Sequence, residues 1–263
     1  MRTPLVALSL GTGAVLATER GARKHAERLA AALLETLLNA IDANDPQTGA
    51  HVRRVARYAL ILADAADLDE RQQHSVERVA LFHDIGKIHE ALFDIIHEAS
   101  ALTPAERRAI ATHPQRGADV LQPLAPFYPD LPEGVLSHHE RWDGKGYPRC
   151  LAGDDIPIAA RIVAIADTFD AITHRRRYRE GGSAADATTV IASGCGSQWD
   201  PDLVDLFLCP PVHECVMAAL HEHRQARKPS VPDDRRRPQR VTPAPDVRFR
   251  WQRSGPEDAG ARE

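Results

Sequence analysis

The sequence predicts an all-α protein. Alanine and leucine, which favour helix over strand, are frequent. Apolar residues recur at spacings of three and four along much of the chain, and no stretch sustains the alternation of a half-buried strand. At 263 residues the chain suits one large domain, or one domain with tails, and 43% hydrophobic residues is enough for a real core. A formal net charge of −4 lacks the basic signature of a protein that binds a nucleic-acid polymer. Residues 221–263 hold 11 Lys+Arg against 7 Asp+Glu, so the body is acidic and needs local cations or a metal to bind an anionic substrate. Cys150, Cys195, Cys209 and Cys215 form no C-x-x-C pair, which fits free thiols in a reducing cytoplasm.

Residues 1–21 form a start segment whose apolar run, Pro4–Ala17, is shorter than the roughly 20 residues of a membrane span. No convincing signal-peptide cleavage site follows Arg2. The segment is expected to pack on the domain or stay loose, with membrane association the lesser alternative. Helical spacing runs from Ala22 to Ala43 on Leu29, Leu33, Leu34, Leu37 and Ile41, and Asn44-Asp45-Pro46 ends it. The next helix, about His51–Leu68, puts His51 on one face with Val55, Tyr58 and Leu62. A helix near Arg71–Asp84 aligns Val76, Val79, Ala80 and His83, and Gly86 breaks it. Thr103 caps a helix with Pro104 at its first position. His113-Pro114 ends that helix, and a short one carrying Ala118, Val120 and Leu121 follows. Residues 123–132 read as a loop, and Val135–His139 as the helix that delivers His138 and His139. Gly144 and Gly146 allow unusual backbone angles in the next loop, and Pro148 fixes its exit. Ile158–Thr173 is apolar nearly all round, so it is buried on most sides. Helices around Ala184–Ala192, Pro201–Leu208 and Val212–His223 complete a folded domain of residues 22–224. Residues 225–263, rich in Pro, Arg and Asp, read as a disordered tail.

Asp167 and Asp170 lie inside the apolar helix. A buried, unpaired carboxylate costs several kcal/mol or is neutralised, so a positive group must face them: a metal ion, Arg161 or Arg176. Inward-facing or helix-end ligand types are His51, His83, Asp84, His113, His138, His139 and Asp167, from five segments. Imidazole mixed with carboxylate suits iron, manganese or zinc rather than calcium. Seven ligands exceed the needs of one four-coordinate zinc, and fit two divalent ions bridged by Asp84. Two metal ions roughly 3.5–4 Å apart are a recurrent device for phosphoester cleavage. Asp84 and Lys87 are the candidate catalytic residues, Lys87 reaching a phosphate as a point charge. Arg176 and Arg179, three apart, could clamp a second phosphate. The histidines His89, His97, His174, His213, His221 and His223 are expected to be incidental. Glu140 and Asp143 are expected to orient the loop or the ligands, and Asp170 to hydrogen-bond in the core or to a ligand histidine.

Three motifs carry a resemblance: His83-Asp84-Ile85-Gly86-Lys87, His138-His139-Glu140-Arg141-Trp142-Asp143-Gly144-Lys145-Gly146-Tyr147-Pro148, and Ala166-Asp167-Thr168-Phe169-Asp170-Ala171. Together they resemble the HD-GYP family, a bacterial branch of the HD metal-dependent phosphohydrolases. His51 after Asp45-Pro46 and Thr48-Gly49, His113-Pro114 with Gly117, and Trp199-Asp200-Pro201 extend the likeness over roughly residues 40–210. The resemblance implies an HD-type helical bundle with a GYP-loop and additional C-terminal helices. It implies a di- or trinuclear iron or manganese site and hydrolysis of cyclic di-GMP to linear pGpG or GMP. By position, the seven residues above match metal ligands and Lys87 the phosphate-contacting lysine. Tyr147, Arg176 and Arg179 match residues that contact the dinucleotide. The alternatives are a hydrolase of another cyclic dinucleotide or nucleotide phosphate, or a weakly active module docking a GGDEF-type diguanylate cyclase through Gly144–Pro148. A homodimer is compatible with either. Gln47 stands where some members carry a glutamate that supports a third metal, so two metals are expected. Arg175-Arg176-Arg177-Tyr178-Arg179 replaces the usual Asp-Arg-Pro-Tyr-Arg and keeps both matched arginines. No receiver or other sensor domain is expected within the short N-terminal segment.

Overall fold

A computed structural model describes residues 9–88, 103–174 and 181–226, with the side chains of 9–19 and 224–226 left out. Arg176, Arg179, His89, His97 and almost all of the expected tail therefore lie outside the described residues. Among the described residues every regular element is a helix, apart from one isolated bridge between Cys195 and Trp199. The chain divides into two units, residues 1–39 with 243–263, and residues 40–242.

In the first unit the described residues belong to α1 (Ser9–Asn44). This helix starts well before Ala22, because Val15, Leu16, Ala17 and the residues after them are good enough helix formers to carry it past Gly11 and Gly13. Its leucines do not share one fate: Leu34 and Leu38 are buried, whereas Leu29 and Leu33 are exposed.

The second unit contains α2 (Pro46–Ala65), α3 (Glu70–Phe82), α4 (Pro104–Ile110), α5 (His113–Leu121), α6 (Asp130–Ser137), α7 (Ile158–Thr173), α8 (Ala184–Ser193), α9 (Pro201–Leu208) and α10 (Pro210–Ala226). Asp45 accepts from the Gln47 amide to cap α2, with Pro46 in the first turn. Asp69, Thr103 and Ser183 start α3, α4 and α8 through reciprocal capping boxes with Gln72, Glu106 and Asp186. Asp200 accepts from the Asp202 and Leu203 amides to start α9.

The core is a helix stack in which α2 packs on α3 and α7, and α6 packs on α5. Val55, Tyr58 and Leu62 of α2, Val76 and Val79 of α3, and Ile162, Ile165 and Phe169 of α7 are fully buried. Tyr58 meets the Phe169 ring edge-on at 5.2 Å, and Phe169 meets Phe207 of α9 at 5.5 Å. Close-packed apolar area of this kind holds the frame.

Several boundaries differ from the sequence reading. Helix α3 stops at Phe82, and Gly86 lies in a separate 3-10 turn, Ile85–Ile88. A Cβ at Gly86 would collide with the His113 carbonyl and the Gly117 amide, so glycine is there for close approach to α5 rather than to break a helix. Pro114 does not end a helix; it sits in the first turn of α5, where its missing N–H is harmless. Helix α6 starts at Asp130, inside the expected loop, which also holds a 3-10 turn at Gln122–Leu124.

Candidate metal centre

All seven predicted ligands converge on one hollow. Their delivery follows from where each sits in its element. His83, His113 and His138 come at or just beyond the last turns of α3, α4 and α6, where helix carbonyls have run out of amide partners. Each ring uses its Nδ1–H to satisfy the carbonyl three residues earlier: Ala80 at 2.8 Å, Ile110 at 2.7 Å and Val135 at 2.6 Å. A carbonyl oxygen can only accept, so the ring proton is assigned to Nδ1 and Nε2 is left as a lone pair facing inward.

The inward atoms form two groups. His51, His83 and Asp167 make one, and His113, His138 and His139 the other; within each, one ligand atom per residue lies within 4.8 Å of the others. Asp84 stands between them. Its Oδ2 is 3.6 Å from His83 Nε2 and 3.8 Å from His51 Nε2, while its Oδ1 is 3.4 Å from His113 Nε2. Lys87 reaches the same Oδ1 at 2.6 Å.

The electrostatics suit cations. Burial, then Lys87, push His113 down to about 3, and burial with neighbouring imidazoles also lowers His138 and His139. These rings are neutral and their lone pairs available. His113 Nε2 and His138 Nε2 face each other at 3.1 Å with both protons committed to backbone carbonyls. Two lone pairs at that distance repel unless an electrophile sits between them. His83 Nε2 is buried and makes no hydrogen bond. Burial disfavours the charged forms of Asp84 and Asp167, yet Lys87 holds the former well below the carboxylate range and a hydrogen bond to His51 lowers the latter. Burial also pulls His51 down, but hydrogen bonds to Asp167 and Asp170 outweigh it and raise the ring to about 9. The residues present thus fit a pair of divalent cations: inward lone pairs and two anionic carboxylates, buried or part-buried together.

Behind the hollow, Asp170 accepts from Arg54 Nε at 2.7 Å and from the other arm of that guanidinium at 2.9 Å. Arg161, one of the two arginines named from the sequence as its counter-charge, does not do this. Arg161 is turned to Asp200 at 2.7 Å and Asp154 at 2.9 Å, and Arg176 is outside the described residues. Arg54 was missed, although it is a basic residue on the same face of α2 as His51, Val55 and Tyr58. His174, taken as incidental, places Nδ1 3.0 Å from Asp170.

The loop after His139 is tied down by side chains. Glu140 is buried and accepts from the Arg149 amide at 2.7 Å and the Leu151 amide at 3.1 Å, as its expected orienting role requires. Asp143 pairs with Arg141 in the same loop and accepts from the Lys145 amide at 3.2 Å. The Trp142 and Asp143 amides donate to the Gln198 and Ser197 carbonyls. Gly144 has the positive φ, +72°, whereas Gly146 is needed for room: a Cβ there would strike the Glu140–Arg141 backbone. The result lays the Tyr147 ring nearly parallel on His139, centroids 4.9 Å apart. Burial, then Asp84 and Asp167, push its phenol up to about 12, so it stays neutral and able to donate.

A family model described as an HD domain matches residues 35–203. The chain belongs to the HD-domain family, in its HD-GYP branch. A 3′3′-cGAMP-specific phosphodiesterase 2 of Vibrio cholerae is 36% identical over 178 residues, 67% of this chain and 34% of that protein. A cyclic di-GMP phosphodiesterase of Thermotoga maritima is 35% identical over 178 residues, 67% of this chain and 48% of that one. The cyclic di-GMP phosphodiesterase response regulator RpfG of Xanthomonas campestris is 35% identical over 177 residues, 66% and 46%. The matched stretch thus spans between a third and a half of these relatives. Among solved structures, the HD domain of Listeria monocytogenes phosphodiesterase PgpH, in complex with cyclic-di-AMP, superposes with a TM-score of 0.51 at 19% identity, over 72% of this chain and 96% of that one. At that identity the likeness bears on the fold, and it agrees with the all-α HD bundle.

Proposed function

We propose that this HD domain is a metal-dependent phosphodiesterase that hydrolyses cyclic di-GMP to pGpG, GMP or both, in bacterial second-messenger signalling. The observation that carries the reading is Asp84, whose two oxygens face two separate ligand groups. His51, His83 and Asp167 with Asp84 Oδ2 would hold one divalent ion, iron or manganese. His113, His138 and His139 with Asp84 Oδ1 would hold the other. When bound, such a pair supplies an acidified water and charge stabilisation at phosphorus.

The chain's own residues do the rest. Lys87, part-exposed at the edge of the hollow, offers its ammonium to a phosphate oxygen; its contact with Asp84 Oδ1 keeps it aimed there. Tyr147, fixed against His139, presents a half-exposed aromatic edge and a neutral hydroxyl to the dinucleotide. Arg176 and Arg179 are assigned the second phosphate from their spacing and the family likeness. The outer edge of the loop, with Lys145 exposed, is the surface assigned to a GGDEF-type diguanylate cyclase. A cytoplasmic location and a homodimer belong to the same reading.

The similarity to a cGAMP-specific enzyme of Vibrio cholerae favours a second reading, in which 3′3′-cGAMP is the preferred substrate. The test is anaerobic incubation of the protein with Fe(II) or Mn(II) and each cyclic dinucleotide in turn, products being resolved over time by chromatography. Cyclic di-GMP consumed fastest supports the first reading, cGAMP the second. No turnover of any cyclic dinucleotide by the metal-loaded protein defeats both.

A further inference from the structure

The ligand histidines do not all brace their rings alike. His83, His113 and His138 lean on backbone carbonyls that their helices leave free. His51 has no such option. It lies in the first half of the twenty-residue α2, where the ladder consumes the carbonyls before it. Its Nδ1–H goes instead to Asp170 Oδ2 at 2.7 Å, a carboxylate on α7, which packs against α2. That carboxylate is 1% exposed, gripped on two sides by Arg54, and touched by His174.

A carboxylate behind an imidazole fixes the tautomer and makes the far nitrogen a stronger donor than a carbonyl does. This support reaches one ligand group and not the other. The group of His51, His83 and Asp167 contains a carboxylate and is backed by another, whereas the group of His113, His138 and His139 is three imidazoles, of which His113 and His138 are braced by peptide carbonyls.

We infer that Asp170 is a positioning residue that makes the two cation positions unequal: by orienting His51 it causes the position of His51, His83 and Asp167 to fill at lower metal concentration than the other. This rests on the two-cation reading above. Arg54 belongs to the same device, holding Asp170 aimed through two hydrogen bonds, while Asp170 itself touches neither cation.

The experiment is a Mn(II) titration of the chelator-stripped protein, followed by calorimetry and by metal content after desalting, on wild type, Asp170→Asn and His113→Ala. Wild type takes up two ions in two steps. Asp170→Asn weakens the tighter step by roughly 10- to 100-fold and spares the weaker one; His113→Ala does the reverse. Both steps unchanged in Asp170→Asn overturns the inference and leaves the two-cation reading standing. Fewer than two ions in wild type overturns that reading and the inference with it. Because Asp170→Asn strands the Arg54 guanidinium and the variant can fail to fold, a second measurement needs no mutation. Nitrogen-15 NMR of the metal-free protein places a slowly exchanging proton on His51 Nδ1; a proton on Nε2 alone overturns the inference.

Discussion

The seven ligand side chains leave helices or the turns that end them, whereas residues 140–151 beside them contain no regular element. The hollow draws its geometry from the core: the imidazoles of His83, His113 and His138 are each aimed by a backbone carbonyl that the helix would otherwise leave unsatisfied. The loop draws its geometry from two carboxylates and a few backbone bonds, chiefly Glu140 to the Arg149 and Leu151 amides. Under the proposed function, the difference makes metal capture and substrate orientation separable. Damage to the loop should leave the cations in place.

The largest expected effect lies in the hollow. Asp84→Ala removes the carboxylate shared by both ligand groups, and turnover of cyclic di-GMP should fall roughly 10³-fold or more, at least what one transition-state charge stabiliser is worth. Metal content, measured alongside, should fall too; full occupancy in that variant would break the comparison at its root. Next comes the loop. Glu140→Ala leaves two amides without their acceptor, each worth up to ~1–3 kcal/mol. Tyr147 then loses its placement, and kcat/KM should drop between ~10- and 100-fold while two ions remain bound. Loss of metal together with activity would show that loop and hollow are one unit.

Smaller is Arg161→Lys, at the junction where Arg161 bridges Asp200, Asp154 and the Trp142 face. An ammonium keeps the charge and loses the fork, so the expected loss is ~1 kcal/mol, a Tm shift of about 2–4 °C by calorimetry. Smallest is Tyr147→Phe, which keeps the ring against His139 and removes one hydroxyl. A change in KM equivalent to about 0.5–1.5 kcal/mol, with kcat held, would fit a hydrogen bond to substrate.

Much of the hollow was legible because its ligands are marked twice, by residue type and by position on an apolar face or a helix end. His51, His83 and Asp167 were placed that way. What could not be read was which charge answers which. Asp170 announced that a cation must face it, and nearby arginines were the natural candidates, but the partner is Arg54, 116 positions away. Pairing across that separation is set by how α2 lies on α7, which local periodicity does not encode. The clue present was a lone basic residue on the apolar stripe of α2. Proline misled for a simpler reason: at Pro114 the same ring that forbids continuation also suits a first turn, and a sequence alone does not say which side of the break it is on. Arg176 and Arg179 stay where the sequence left them, outside the described residues.

The Trp142 and Asp143 amides dock on the carbonyls of Gln198 and Ser197, more than fifty positions downstream. Anyone transplanting this loop into a sister enzyme to exchange nucleotide preference would therefore be moving half of a two-piece graft. The strip around Gln198 has to travel with it, or the transplanted ring arrives with nothing to seat its outer strand of backbone.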